Sequence, residues 1–549
     1  MKRKLISSLL ACALFLSFST AAGAADIDAA GTGADTDAAI VAADYPEVGG
    51  ELEPGDELPS AYSSVDAGYV TPARKQLFNT CWAYSSTATL ESLILKNNRL
   101  IDHLSTMHMN FSSCTLPDGK GWQRSYSDAG YPYISLGYLT SFGSLPDGVF
   151  PEDLTYDDYI GRADDLYPTV IADSVIYLNA NDRETIKTAV YEYGGVVANF
   201  HYDSSAMYNN SYCSYVSGLP TNRLNGHAIE IVGWDDGYGA ENFHPDHQPE
   251  NNGAWLCKNS WGPDWGENGL FRISYDDLYI FDSRFGPSYA ITHARQMTAI
   301  DKVQQNETFG AVCEFDYLDG NSKITELTYV NILDLSDGYH NIDKVVFESE
   351  SQGSSYTVFY IPLLDDGTPD TDSANWTELA SGTIEYQGYI GANVGGFDAP
   401  AEKIAIGVRI ERTNDEQTLD IGISEWLRVA GNYRFLPQTE AGQCYILGIN
   451  KKTPIIELMD FYKTYLSDDI GSTFVIKALC SSDEVKGDVD RDESFTIVDV
   501  TLTQRKLIEI TELDKKQLRF ADYDNDGFVD VVDCTRMQRR LVDLDIDLY

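Results

Sequence analysis

Two stretches near the C-terminus repeat one arrangement of acids, Asp488-Val489-Asp490-Arg491-Asp492-Glu493-Ser494-Phe495-Thr496-Ile497-Val498-Asp499 and Asp522-Tyr523-Asp524-Asn525-Asp526-Gly527-Phe528-Val529-Asp530-Val531-Val532-Asp533, offset by 34 residues. Each places oxygen donors at loop positions 1, 3, 5, 9 and 12. Segments this short and this acidic cannot supply a hydrophobic core of their own. They wrap tightly around a hard cation such as Ca2+, which takes roughly six to eight oxygens. The expected ligands are Asp488, Asp490, Asp492, the Ser494 carbonyl, Thr496 and Asp499 for one ion, and Asp522, Asp524, Asp526, the Phe528 carbonyl, Asp530 and Asp533 for a second. A solvated acidic turn has the same composition, but nothing in it calls for duplication in register. Each loop runs into a helical pattern, and Gln504-Arg505-Lys506-Leu507 is echoed by Gln538-Arg539-Arg540-Leu541. Glu493 stands where the second loop has Gly527, so the first loop must turn sharply with a side chain attached.

The rest of the 549 residues exceeds what one core supports, and its texture changes along the chain. Residues 1–24 open Met1-Lys2-Arg3-Lys4, continue with an apolar run from Leu5 to Phe18 and end on Ala22-Gly23-Ala24, the pattern of a secretory signal peptide. Leu9-Leu10-Ala11-Cys12 also fits a lipidation box loosely, although apolar residues continue beyond Cys12. No segment approaches the roughly 20 apolar residues of a membrane span. Residues 25–57 form an acidic linker, and 58–292 mix a helical stretch after Cys81 with β-rich runs such as Ala228 to Trp234, an α+β domain. Residues 293–482 alternate short β-branched and aromatic runs with Asp, Gly and Ser turns, as in an all-β sandwich, and 483–549 hold the small all-α cation module. The fold class is therefore multidomain. The net charge of −46 repels nucleic acid and anionic lipid. Nine cysteines are too few for a disulfide framework.

One cysteine stands apart by its context. Cys81 lies in Gln76-Leu77-Phe78-Asn79-Thr80-Cys81-Trp82-Ala83-Tyr84-Ser85, followed by helix-compatible residues, so its thiol falls at a helix start, where the helix dipole favours thiolate. Downstream, Asn225-Gly226-His227-Ala228 opens an apolar strand and Trp255-Leu256-Cys257-Lys258-Asn259-Ser260-Trp261-Gly262-Pro263-Asp264-Trp265-Gly266 closes another. Two strand ends would thus present His227 and Asn259 to Cys81.

In this order, these motifs resemble those of the papain-like cysteine peptidases over about Leu58 to Ala290. The resemblance implies a two-lobed α+β domain and a peptide-bond hydrolase needing no catalytic cofactor. It implies Cys81 as nucleophile, His227 as its base, Asn259 as the residue orienting the imidazole, and Gln76 with the Cys81 amide as oxyanion hole. It further implies that Trp261 shields the His–Asn bond and that Gly130, Tyr131, Pro132 and Ala228 line the substrate cleft. The chain departs from the family pattern in four places: the Gln76–Cys81 spacing is one residue short, Phe78 replaces a usual Cys, Asn79, which tolerates left-handed backbone, replaces a usual Gly, and Asn259 lies 178 residues after Cys81, which calls for an extra loop around Asp235 to Asn252.

The duplicated loops resemble a type I dockerin, the module that plugs enzymes into cohesin receptors of cellulosome scaffolds. That resemblance implies two near-equivalent docking faces, Ile497, Val498, Gln504 and Arg505, and Val531, Val532, Gln538 and Arg539. The middle region is similar in texture to a lectin-like β-sandwich, where Trp376, Tyr386, Tyr389 and Trp426 are candidates for weak carbohydrate contact or for core. Together these features imply a secreted endopeptidase docked on a polysaccharide-degrading assembly. A catalytically silent papain-like adhesin of the same assembly stays open as the alternative.

Overall fold

The computed structural model describes residues 57–542 except 98–102, 116–120, 164–165, 180–181, 210–212, 217–224, 307–309, 312, 317–323, 415, 426–427, 430–432, 437–439, 450–451 and 459–471. The expected leader with Cys12, the acidic linker up to residue 56, and Trp426 lie outside the described residues.

A short strand β1 (Ala61–Ser63) precedes helix α1 (Cys81–Lys96), which is buried from Trp82 to Ile94 although a third of that stretch is Ser and Thr. The hydroxyls make this tolerable by bonding back along the helix: Thr87 Oγ1 donates to the Ala83 carbonyl and Thr89 Oγ1 to that of Ser85, each at 3.0 Å. No unpaired donor enters the core from these side chains. Helices α2 (Thr106–Ser112) and α3 (Pro132–Gly137) lie in the helical lobe, as does a further helix over Tyr156–Arg162 packed on α2. Ser105 caps α2 by accepting from His108 N, and Pro132 opens α3 where a missing N–H costs nothing.

The second lobe is an antiparallel sheet of β2 (Val170–Leu178), β3 (Val196–His201), β4 (Gly226–Asp235), β5 (Ala254–Lys258), β6 (Leu270–Ser274) and β7 (Ser288–Gln296), in the order β2–β7–β3–β4–β5–β6. Helix α4 (Arg183–Tyr193), capped by Asp182, buries Ile186, Ala189 and Val190 against it. Strand β4 reads Gly-His-Ala-Ile-Glu-Ile-Val-Gly-Trp-Asp and is buried on both faces, because α1 covers one side and the lobe's own core the other.

Beyond this lie β8 (Asp301–Gln304), β9 (Glu326–Asp334), β10 (Tyr339–Ser349), β11 (Ser355–Ile361), β12 (Thr377–Thr383), β13 (Gly388–Asp398), β14 (Lys403–Glu411), β15 (Cys444–Leu447), β16 (Ile455–Glu457) and β17 (Ile476–Ser482). Strands β12–β11–β14–β9–β15–β16 form one layer and β8–β17–β10–β13 the other. Leu327, Tyr329, Ile406 and Val408 of the first layer interdigitate with Val345, Phe347, Ile476 and Ala478 of the second, the sandwich that the sequence texture implies. Tyr389 belongs to the core, while Trp376 is half-buried beneath Arg409.

The β-sandwich layer does not end at its own edge. Strand β13 pairs with β2, Gly388 opposite Ile176 and Tyr389 opposite Val175, so one sheet of thirteen strands among the described residues runs through both regions. Gly388 has φ 134°, and a Cβ there would stand 2.2 Å from the Val175 carbonyl oxygen. Behind the seam Lys344 Nζ donates to Asp173 Oδ2 at 2.7 Å, and His293 bonds the other Asp173 oxygen. Burial works against the Asp173 charge, but these two partners hold its pKa below the usual value.

Helices α5 (Ile497–Leu507), α6 (Lys515–Ala521) and α7 (Val531–Leu541) close the chain, each with a capping box. Val489, Val500, Phe520 and Met537 form their core, to which Ala299 contributes from the segment after β7. Among the described residues no helix is long and apolar enough to cross a membrane.

Gly388→Ala is expected to force β13 away from β2 and to lower stability by about 1–3 kcal/mol. Urea unfolding would show a lower midpoint.

Candidate active site and cation loops

Cys81 is the first residue of α1, so its sulfur lies beside the unpaired N–H groups of a helix start. The thiol is half-buried. Burial pushes its pKa up, opposed by hydrogen bonds from the backbone of Ala228, Trp82 and Cys81 itself. The expected pull toward thiolate is therefore present but outweighed by desolvation in the neutral site. Helix α1 packs against strand β4, which carries His227 and Ala228.

His227 Nε2 donates to Asn259 Oδ1 at 2.8 Å, and Ser260 N donates to the same oxygen at 2.8 Å. An acceptor at that position keeps the imidazole proton on Nε2 and leaves Nδ1 as the basic nitrogen. Trp261 stacks on the ring, centroids 4.7 Å apart and planes 25° apart, with Trp265 edge-on to Trp261 at 5.0 Å. Burial under these rings lowers the His227 pKa to about 4, against the raising effect of Asn259. Pro132 and Ala228 are buried, while Gly130 and Tyr131 are half-buried. Gly130 is required by packing as well: a Cβ there would fall 2.3 Å from Trp82 Cε2.

Gln76 is tied into this group from two sides. Its Oε1 accepts from Ser260 Oγ at 2.7 Å, and its Nε2 donates to the Phe78 carbonyl at 3.0 Å. The turn before Cys81 differs from expectation: Phe78, not Asn79, takes the left-handed conformation, with φ 58°. Having one residue fewer between Gln76 and Cys81 moves the tight point of the turn back by one position. Asn79 instead donates to the Ser127 carbonyl at 3.2 Å.

Beneath the site lies a buried ionic network that motif reading passed over. Lys258, next to Asn259, donates to Thr71 Oγ1 at 2.9 Å and pairs with Glu230 at 3.6 Å. Glu91 accepts from Thr71 at 2.5 Å and from Leu104 N at 2.8 Å, with Arg74 at 3.5 Å. Burial opposes the Glu91 charge, but His103, Arg74 and Lys258 outweigh it and hold the carboxyl at about 2. Ser260 was likewise missed as the link between Asn259 and Gln76, although its place in Asn-Ser-Trp was the available signal.

In the cation loops, Asp488, Asp490 and Asp492 bring carboxylate oxygens within 4.8 Å of one another, as do Asp522, Asp524 and Asp533. Asp499 accepts from Asp490 N at 3.1 Å and Thr496 N at 2.7 Å, and Asp533 from Tyr523 N and Asp530 N, each at 2.7 Å. Asp526 accepts from Phe528 N at 2.9 Å, Asp530 from Val532 N at 2.6 Å, and Thr496 Oγ1 from Val498 N at 3.1 Å. Asp522 Oδ1 and both oxygens of Asp524 are buried without a hydrogen-bond donor. Burial, together with the neighbouring carboxylates, raises Asp524 to about 8 and Asp522 well above its usual value. Crowded, desolvated oxygens of this kind fit a hard cation. Glu493 and Gly527, at the same loop position, both have positive φ, 69° and 88°.

The docking residues are on the surface: Ile497, Val498 and Val531 are 60%, 49% and 68% exposed. Gln504, Arg505 and Gln538 are exposed, while Val532 and Arg539 are half-buried.

A two-lobed α+β body, with a thiol on the central helix and an imidazole and amide on the facing sheet, defines the class of papain-like thiol peptidases. Residues 58–282 match the profile described as papain family cysteine protease, and residues 486–542 match the type I dockerin domain. The fold is similar to that of the clostridial cysteine protease Cwp84 after propeptide cleavage, with TM-score 0.67 and 30% identity, covering 77% of this chain and 100% of that one. It is also similar to the cysteine protease and lectin-like domains of Cwp84, a surface layer associated protein of Clostridium difficile, with TM-score 0.66 and 28% identity, covering 80% and 90%. Human cathepsin L2 is 28% identical over 230 residues, 40% of this chain and 62% of its own. The cathepsin L-like proteinase of Fasciola hepatica is 28% identical over 219 residues, 38% and 58%. The chain thus spans about three fifths of the length of the curated relatives it matches. It belongs to the papain family of cysteine proteases and carries a lectin-like β-rich region and a type I dockerin domain.

With the thiol removed, as in Cys81→Ala, His227 is expected to titrate near 4 in the folded chain, read by NMR of the imidazole C–H. The sign of the linkage follows. Between about 6.5 and 4 the unfolded chain holds a proton on this residue that the folded chain refuses. The contribution of neutral His227 to stability is full above that window and is lost as pH falls through it.

Proposed function

We propose that this chain is a secreted cysteine endopeptidase that hydrolyses peptide bonds and docks, through its calcium-dependent dockerin, onto a cohesin scaffold such as that of a cellulosome. The reading is carried by one observation: Cys81 opens the buried helix α1 that packs on strand β4, and on that strand His227 has its Nε2 held by Asn259 beneath Trp261.

In the proposed mechanism Cys81 passes its proton to His227 Nδ1 and attacks the scissile carbonyl. Burial opposes either charge alone, but this transfer creates both at once as a compact ion pair, and their attraction offsets much of the desolvation. The pair therefore titrates as a unit. The oxyanion is received by the Cys81 N–H and by the second N–H of Gln76, whose first is held by Phe78. The imidazolium protonates the leaving amine, and water then cleaves the thioester. Asn259 and Trp261 keep the ring oriented and dry. Gly130, Tyr131, Pro132 and Ala228 line the path of an extended peptide.

For docking, Asp488, Asp490, Asp492, Ser494, Thr496 and Asp499 would hold one Ca2+, and Asp522, Asp524, Asp526, Phe528, Asp530 and Asp533 a second. The bound ions would neutralise carboxylates that otherwise repel one another. Ile497, Val498, Gln504 and Arg505, and Val531, Val532, Gln538 and Arg539, offer the two faces for a cohesin. Trp376 and Tyr386 remain as the described aromatics for any sugar contact, since Tyr389 is buried.

The engagement of Gln76 with Phe78 and Ser260 favours the second reading, a silent peptide-binding adhesin. The two readings part on the thiol. Cys81→Ala is expected to cut turnover of unfolded protein by roughly 10³-fold or more. Iodoacetamide is expected to modify Cys81 ahead of Cys114, Cys213, Cys257, Cys444, Cys480 and Cys534, all buried. Unchanged turnover in the variant, or an inert Cys81, would support the adhesin. A calcium-dependent pull-down on cohesins tests the docking half independently.

Glu493→Gly is expected to relieve left-handed strain of about 1 kcal/mol. Calcium titration would then show several-fold tighter binding at the first loop.

A further inference from the structure

The two cation loops share one pattern but not one environment. The first is built wholly from its own module: Asp488 Oδ2 accepts from Glu493 N at 2.8 Å, its Oδ1 accepts from Asp492 N at 3.1 Å, and Asp492 lies in solvent. The second is pressed into the peptidase domain. Asp522 and Asp524 are each only 2% exposed. The Tyr167 hydroxyl donates to Asp522 Oδ2 at 2.9 Å, and Gln296 Nε2, at the end of β7, donates to the Asp524 carbonyl at 2.9 Å. A Cβ on Gly527 would fall 2.2 Å from Val149 Cγ2, and one on Gly148 would stand 3.4 Å from the Phe528 ring. Arg519 lies over the Tyr167 ring at 4.9 Å and donates to the Thr298 carbonyl at 3.0 Å.

The hydrogen bonds on Asp522 are divided in an informative way. Tyr167 and Gly527 N, both at 2.9 Å, occupy Oδ2, which leaves the buried Oδ1 with no donor. Asp524 is similar: neither oxygen receives a hydrogen bond, and Arg536 stands 3.4 Å from one of them. The peptidase domain thus fixes the rotation of one carboxylate and the path of the loop backbone, so that the bare oxygens converge with Asp533. In metal sites, groups that orient ligands in this way set affinity by about 10- to 100-fold. Only residues 483–487 separate β17 from the first loop, so the module is held near this seat throughout.

We propose that the second loop is a calcium-operated clasp between the docking module and the peptidase domain, with Tyr167 and Gln296 as positioning residues for its ion. This rests on the reading that both loops bind calcium. An ion in the first loop shapes the module alone. An ion in the second also fastens it to the Val149 and Tyr167 surface, so the peptidase is presented to its scaffold in a fixed pose. Calcium withdrawal loosens the second loop from the Val149 and Tyr167 surface as well as disordering the module's docking face.

The test is calorimetric titration of calcium into chelator-stripped full-length chain, wild type against Tyr167→Phe. The expected result is two ions in both proteins, with one site weakened about 10-fold in the variant and the other unchanged. Hydrogen exchange of the wild type provides a readout that does not depend on the variant folding: amides of residues 144–152 are expected to gain protection when calcium is added. Two ions bound with unaltered affinities, or exchange at 144–152 indifferent to calcium, would overturn the clasp and leave the docking reading standing. Uptake of fewer than two ions by the wild type would remove the calcium reading itself, and the clasp with it.

Discussion

Helix α1 has to be buried from its second residue onward, and most of the peptidase domain is arranged around that requirement. A free helix start presents N–H groups that need partners, and here they are turned toward a sulfur rather than toward solvent or a capping side chain. The polar residues along the helix are absorbed by bonds to its own carbonyls and by Tyr289, whose hydroxyl reaches Ser86 at 2.7 Å. With α1 fixed, β4 must lie against it, and that contact brings Ala228 to Cys81 and His227 into line with Asn259. The buried Lys258, Glu230 and Glu91 support the strand end from behind. Charges without water tolerate little displacement, so this network is stiff.

The same sheet that carries His227 also carries the lectin-like region. Because β13 hydrogen-bonds to β2, the boundary between the two regions is a line within a sheet and not a flexible linker. Asp173, His293 and Lys344 close the back of that line with charges that satisfy one another. A hinge at this seam would expose unpaired strand edges and strand a buried carboxylate, so the pairing opposes bending between peptidase and sandwich.

The sequence made some of this legible and withheld the rest for a physical reason. Cys81, His227 and Asn259 sit in local motifs whose flanking residues report their secondary structure, so a helix start and two strand ends could be inferred from neighbours alone. The acidic loops were readable because the spacing that a bound cation would require lies within a dozen residues. Pairings between distant segments leave no such local trace. The β13–β2 ladder joins residues more than two hundred positions apart, and Tyr167 meets Asp522 across 355. Phe78 shows a subtler limit. The shortened spacing to Cys81 was visible, but which residue would take the left-handed turn depended on how the loop closed over Gln76.

The two functional regions face the same electrostatic problem and resolve it in opposite ways. In the peptidase site, burial disfavours both thiolate and imidazolium, and in the proposed mechanism the remedy is internal: one proton passed from Cys81 to His227 would produce a pair whose members neutralise each other. In the second acidic loop the crowded groups are carboxylates, with Arg536 at 3.4 Å from Asp524 offsetting only part of their repulsion. Burial and the neighbouring carboxylates raise Asp524 to about 8 despite Arg536, and protons or a divalent cation would relieve the remaining repulsion. The first site is therefore suited to cycling charge during a reaction, and the second to reporting whether the surroundings supply an ion. Seating the second loop on the peptidase domain deepens its burial and sharpens that dependence, because each added layer of protein removes water that would otherwise have screened the carboxylates.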